Sequence, residues 1–542
     1  MKHFSERLLQ KSHNKNIVLN YFCNKINFNI IRMKTKIIIL LAVSFVLIIA
    51  VKAAVKPNSL FTNNGVLQQG VEVPVWGTAA EGEKVTVEFA GQTLTTTAIN
   101  NKWMVKLKPL KAISEPQTMI VKGENTVTIS NILVGEVWLC SGQSNMGFPL
   151  RAVKAINGYP SINEVLKDAQ NYPLIRQFSV PLKKSTDIPA IVDDVNGKWN
   201  VCDSKTAENF SAVAYFFGRD LFKKLNVPIG LINSSYGGTA CENWMSKETL
   251  ESFPELKSIM ENYTKNLKDF GPKLQGYLMN EASLLQQYSV DSALAVQQGK
   301  SLPKKPAAPM SPAERGGPTG LWNTMLYPLI PYAIKGAVWY QGEANASRGI
   351  QYRTLLPAMI NNWRTEWKQG DFPFLIVQIP GWKNHYPELK EAQLLTWQKV
   401  KNTAMTVTYD CDDTLDVHPG NKQPVGERLV LAARAVAYGE KIVYSGPVYK
   451  SMKVDGNKII LTFDHAGSGL VAKGGELKDF TIAGEDKKFV TAKAEIVKDK
   501  VVVSANGIDN PVAVRAGWRF CPQMNLYNKE NLPATPFRTD VQ

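Results

Sequence analysis

Histidine and cysteine are the scarce residues of this 542-residue chain, with five of the first and six of the second. His3, His13 and Cys23 fall in the first 32 residues, which leaves Cys140, Cys202, Cys241, Cys411 and Cys521, an odd and widely spaced set with no C-x-x-C. That pattern excludes a disulfide framework and a thiolate zinc site, and so few histidines leave little for a His-based metal centre. Neither a metal nor a cofactor is therefore expected. A clustered basic stripe is missing too: 63 Lys and Arg are mixed with 47 Asp and Glu, so the formal net charge of +16 is spread along the chain. Without a stripe or a known nucleic-acid motif, no nucleic-acid partner is expected, only a mild attraction for acidic substrates. A hydrophobic content of 44% with 20% charge excludes disorder as the default, and the length suits roughly two to four domains.

One long apolar run is present. Lys34 and Lys36 precede an unbroken stretch from Ile37 to Val51, followed by small residues at Ala53 and Ala54. At about fifteen residues the run is short for a membrane span and right for a secretory signal, which reads as 33–54. Residues 1–32 then read as a mis-called extension ahead of a true start at Met33. The expectation is an exported protein, periplasmic or extracellular, with no membrane attachment after cleavage; a retained anchor is the alternative.

Beyond the signal, residues 55–131 alternate with period two, as in "KVTVEF" and "NTVTIS", with turn signals at Gly91 and Gly123. Such alternation predicts a small antiparallel β domain. The same texture returns over 441–542 in "KIILTF" and "KVVVSA", predicting a second one. Between them, over 132–440, apolar runs (Val137–Cys140, Ile229–Ile232, Ala337–Tyr340, Phe374–Ile379 and Met405–Tyr409) alternate with helical spacings such as Phe210, Val213, Ala214, Phe217 and Leu221. Buried runs separated by amphipathic helices predict a parallel sheet covered on both faces. The stretch at about 253–315, polar and then proline-rich at "PKKPAAPMSPAERGGP", reads as a surface insertion, either bordering the site or a plain linker.

Ligands of open α/β sheets bind beyond the carboxyl ends of the strands, so the residues after each run carry the information. These are Gly142-Gln143-Ser144-Asn145, then Asn233-Ser234-Ser235-Tyr236-Gly237-Gly238, then Gln341-Gly342-Glu343, and a loop reaching Asp416-Val417-His418-Pro419. Together they supply a nucleophilic hydroxyl, a histidine base, carboxylates to orient it and donors for an oxyanion, which are the parts of acyl transfer. Ser144 alone reads more simply as a helix cap; the company of the other three loops favours chemistry. Pro419 pushes His418 toward an extended backbone, which would put Asp416 and His418 on one side. Either Asp416 or Glu343 could reach the imidazole.

Four ordered blocks, "VWLCSGQSNM", "LINSSYGGTACENW", "PTGLWNTMLYPLIPYAIKGAVWYQGEANA" and "DVHPGNKQPVGERLVLAARA", resemble the sialate O-acetylesterase family of the SGNH hydrolase superfamily. The resemblance implies an SGNH-like α/β domain between β-sandwich-like domains, Ser144 as nucleophile and His418 as base. It implies an oxyanion hole from the backbone of Ser144 and of Gly237 and Gly238, with the Gln341 amide as a side-chain donor. The superfamily's usual Asp three residues before the histidine is Leu415 here, so the third role falls to Asp416 or Glu343. There is no G-x-S-x-G elbow, since Met146 holds its last place, which argues against an ordinary α/β-hydrolase. The function implied is a secreted serine esterase removing O-acetyl groups from sialic acids; the alternatives are an acetylxylan or other polysaccharide esterase, and a carbohydrate-binding protein without catalysis. A sialate site needs a fixed cation for the substrate carboxylate, and Arg348 is the candidate, with Arg151 a second.

Overall fold

In the computed structural model, which describes residues 54–154, 158–182, 188–411 and 414–540, all five apolar runs contribute to one sheet, the last two only in part, because their strands end at Val377 and Thr406. The residues read as an extension, 1–32, those read as a signal up to residue 53, and Asp412 and Asp413 fall outside the described residues. The strands are β1 (Thr126–Gly142), β2 (Ile175–Ser179), β3 (Trp199–Val201), β4 (Ile229–Ser235), β5 (Gly336–Tyr340), β6 (Phe374–Val377) and β7 (Thr403–Thr406). Their order is β3-β2-β4-β1-β5-β6-β7, with only the β3–β2 pair antiparallel. The chain lays β2, β3 and then β4 on one side of β1, with β4 directly against it, and afterwards β5, β6 and β7 outward on the other, so the order reverses at β1. That reversal is where α/β sheets open a crevice. The register makes the crevice level, because Ser235 and Tyr340 both stand opposite Gly142.

Side chains alternate across the sheet as a pleat requires. Trp138, Cys140, Val338 and Leu375 face one layer, packed with Phe217 and Leu221 of α1 (Ala212–Leu225) and Leu429 of α5 (Gln423–Val436). Val137, Leu139, Trp339 and Ile376 face the other, packed with Leu355, Met359 and Trp363 of α3 (Gly349–Trp367) and Leu389 of α4 (Pro387–Lys399). The fold is thus mixed α/β.

β1 runs unbroken through residues 131 and 132, where the sequence texture changes. Its first part pairs antiparallel with Ile113–Lys122, and its last part is the central parallel strand. After the sheet come two four-stranded antiparallel sheets built from segments between Val448 and Arg538. Val55–Gln542 form one compact unit. The insertion at 253–315 is mostly α2 (Lys257–Gln297), a 41-residue helix with Pro272 inside it. Only Ile259 and Tyr263, in its first two turns, are buried.

Candidate active site

The run that ends β1 stops at Gly142 for a steric reason. Its φ is +143°, and a Cβ there would lie 2.1 Å from the Tyr340 carbonyl oxygen on the next strand. Glycine alone accepts both conditions. The chain then turns tightly, the Gln143 carbonyl accepting from the N–H groups of Met146 and Gly147, and Ser144 is lifted to the end of the sheet. The Gln143 side-chain oxygen accepts from the Ala344 amide at 3.2 Å, tying this loop to the one after β5.

Opposite Ser144 stands His418, with Nε2 2.7 Å from the Ser144 Oγ. Of the three described histidines, His385 is buried on the Pro380 carbonyl and held down to about 4, and His465 packs in a ring cluster with Trp397 and Tyr444. The His418 segment is a bend and not the expected extended stretch. Asp416 Oδ1 accepts the backbone N–H of His418 at 2.9 Å, a side-chain turn that curls the chain so that the same oxygen lies 4.0 Å from Nδ1. That bond is the main reason the Asp416 carboxyl titrates below its usual range. Burial, and then the Lys422 charge, lower the His418 pKa below 6.5, with Asp416 opposing them.

Glu343 does not bond the imidazole. Its Oε1 accepts from Asn145 Nδ2 at 2.6 Å, and the residue is half-buried, with Oε2 shielded from solvent and lacking any partner among the described residues. Burial raises its pKa. Asn145 is a junction: it also donates to the Val417 carbonyl at 3.0 Å and accepts from Lys422 Nζ. One buried amide therefore joins the Ser144, Glu343 and His418 loops. The Lys422 ammonium in turn lies over the rings of Phe148 and Tyr340.

On the other side of Ser144, a Cβ on Gly237 would sit 3.4 Å from the Ser144 Cβ. Among the described residues no acceptor takes the N–H groups of Ser144, Gly237 or Gly238. Unpaired amides beside a hydroxyl that touches an imidazole are the arrangement that acyl transfer requires. Ser234 and Ser235, the rival hydroxyls, are spent on the Met325 carbonyl and the Asn233 side chain. Among the described residues no three His, Cys, Asp or Glu are grouped to hold a metal ion.

The model of the family described as carbohydrate esterase, sialic acid-specific acetylesterase, matches residues 323–434, which include Gln341, Glu343, Asp416 and His418. The sialate O-acetylesterase of Rattus norvegicus is 32% identical over 525 residues, covering 86% of this chain and 91% of that one. The chain belongs to the sialate O-acetylesterase family. The family member of Homo sapiens is 29% identical over 535 residues, covering 88% of this chain and 91% of its own. A solved carbohydrate acetylesterase from Xanthomonas citri is also similar, at 33% identity and a TM-score of 0.75, covering 90% of this chain and all of that one.

Two residues expected at the site are otherwise engaged in the structure. Gln341 has no N–H left for an oxyanion, because its Nε2 donates to the Thr239 carbonyl at 3.0 Å and to Asn345 Oδ1 at 2.7 Å, while its oxygen accepts from Tyr352. It is wholly buried and ties the loops after β4 and β5 together. Arg348 is not a free cation: it pairs with Glu242 at 2.6 Å and donates to Gln351 at 2.8 Å. Arg151 lies on Asn209. Sequence reasoning also passed over Asn145, Lys422 and Arg315. The signal for the first two was their place, one residue after Ser144 and four after His418, polar groups in stretches that had to be buried.

Proposed function

We propose that this protein is an exported serine esterase that removes O-acetyl groups from sialic acids through an acetyl-enzyme. The observation that carries the reading is the 2.7 Å contact between Ser144 Oγ and His418 Nε2 at the level end of three parallel strands. Ser144 donates its proton to neutral Nε2 as its oxygen attacks the acetyl carbonyl. The oxyanion accepts from the waiting N–H groups of Ser144 and of Gly237 or Gly238. The imidazolium then protonates the departing sugar oxygen, leaving acetyl on Ser144, and the same imidazole activates water to release acetate. Asp416 is the orienting carboxylate: its 4.0 Å gap to Nδ1 is within the slack of catalytic bonds before substrate arrives. Glu343, fixed on Asn145, positions the loops instead.

The strand-end site supports an SGNH-like reading of the α/β part, with β domains at 55–131 and 441–542 and the insertion at about 253–315. Export rests on the basic, apolar and small-residue order of 33–54. Ser144→Ala tests the chemistry. Expected is a loss of at least about a thousandfold in acetate release with an unchanged circular dichroism spectrum; activity near that of the unaltered protein would place the nucleophile elsewhere.

A second reading, an esterase for acetylated neutral polysaccharides such as xylan, is favoured by one observation: Glu242 already balances the charge of Arg348. Turnover of acetylated sialic acid against acetylated xylan separates the two. The contact between Ser144 and His418 speaks against a carbohydrate-binding protein without catalysis.

A further inference from the structure

We propose that Arg315, carried to the site by the insertion, binds the carboxylate of the substrate and so selects acidic over neutral acetylated sugars; this rests on the sialate reading above. Arg315 lies at the end of the 253–315 segment, and its Nη1 is 3.4 Å from the Gly238 carbonyl oxygen. A Cβ on Gly238 would fall 1.9 Å from that nitrogen, so the guanidinium occupies the space that a side chain would need. The preceding glycine is the one packed on Ser144. The cation is therefore held one residue from the glycine beside the reacting hydroxyl.

Its backbone is held in place, for Asn243 Nδ2 donates to the Arg315 carbonyl at 3.0 Å, and the adjoining Gly317 packs on Tyr263 of α2. Its charge is not balanced. Arg348 has Glu242, whereas among the described residues no carboxylate lies within ion-pair distance of Arg315. Both arginines line a cleft of about 1010 Å³, whose lining also includes Gly238, Ala344 and the first turns of α2. The acids in that lining are Glu242, already held by Arg348 and Asn345, and Glu255. A carboxylate entering the cleft thus meets one unmatched guanidinium, whose planar fork suits it.

The test compares kcat/KM for acetate release from O-acetylated sialic acid and from its C1 methyl ester, which keeps the acetyl group and loses the charge. For the unaltered protein the acid should be favoured over the ester by about ten- to a hundredfold, the weight of a hydrogen bond to a charged group. Arg315→Gln should bring that ratio close to one, mainly through KM, and Arg315→Lys should leave an intermediate ratio. A ratio near one in the unaltered protein, or a ratio unmoved by both substitutions, overturns the proposal while leaving the esterase reading standing. If the unaltered protein cleaves an aryl acetate and neither sialate substrate, the sialate reading fails and takes this proposal with it.

Discussion

At the scale of single residues, His418, the proposed base, is tuned by burial and by two opposed charges. Burial and Lys422 disfavour the imidazolium of His418, and Asp416 favours it. In the proposed mechanism the active form is the neutral imidazole, so kcat/KM should hold through neutral pH and fall only as pH drops through a value below 6.5. Lys422→Met removes a repelling charge, lets His418 take a proton more readily, and should move that acid limb to higher pH. Asp416→Asn removes the attracting charge and should move it lower. A pH–rate profile of each variant reads the sign directly, and two shifts in the same direction would contradict the assignment. The same variants decide the third member: Asp416→Asn should lower kcat by about a hundredfold or more, as loss of an orienting carboxylate does. Glu343→Gln should leave the limb in place, since Glu343 bonds Asn145 and not the imidazole.

Among the elements, what the sequence made legible follows from how each strand is buried. β1, β4, β5 and β6 have apolar residues on both faces and read as unbroken runs, whereas β7, Thr403–Thr406, shares only Met405 and Thr406 with the run expected there. β2 did not, because its "IRQFS" buries Arg176 and Gln177, whose partners Asn131, Pro173 and Cys202 are distant or irregular in sequence. The Asp416–His418 bend was missed for a similar reason: a side chain replaces a backbone partner there, and local propensity argues for the extended form. The length of α2 was hidden by Pro272, which ordinarily ends or kinks a helix. Gly426 of α5 carried no signal at all, yet a Cβ on it would lie 2.5 Å from Phe216 Cβ of α1. Gly426→Ala should push the two helices apart and lower stability by about 1–3 kcal/mol, read from denaturant unfolding. Because Lys422 stands at the start of the same helix, kcat should fall with it; wild-type stability would mean that the helices have room to part.

For the molecule as a whole, the sheet presents the candidate site at one end and the insertion borders the cleft beside it, an arrangement visible in the sequence only as four loops and one irregular stretch. The mature chain is expected to begin near Ala53 or Ala54, with intact-mass measurement as the check; a protein still starting at Met1 or Met33 would rule out processing there. β1 has a further consequence for this chain. A single rod of 17 residues belongs at one end to the antiparallel strands and at the other to the turn that carries Ser144. The first β segment therefore cannot be shed as a detachable module: a chain cut at residue 132 would leave the central strand of the parallel sheet without the half that anchors it. Amide exchange from residues 126 to 142 should accordingly be lost or kept together, so that the serine's footing is only as durable as a hairpin lying well away from it.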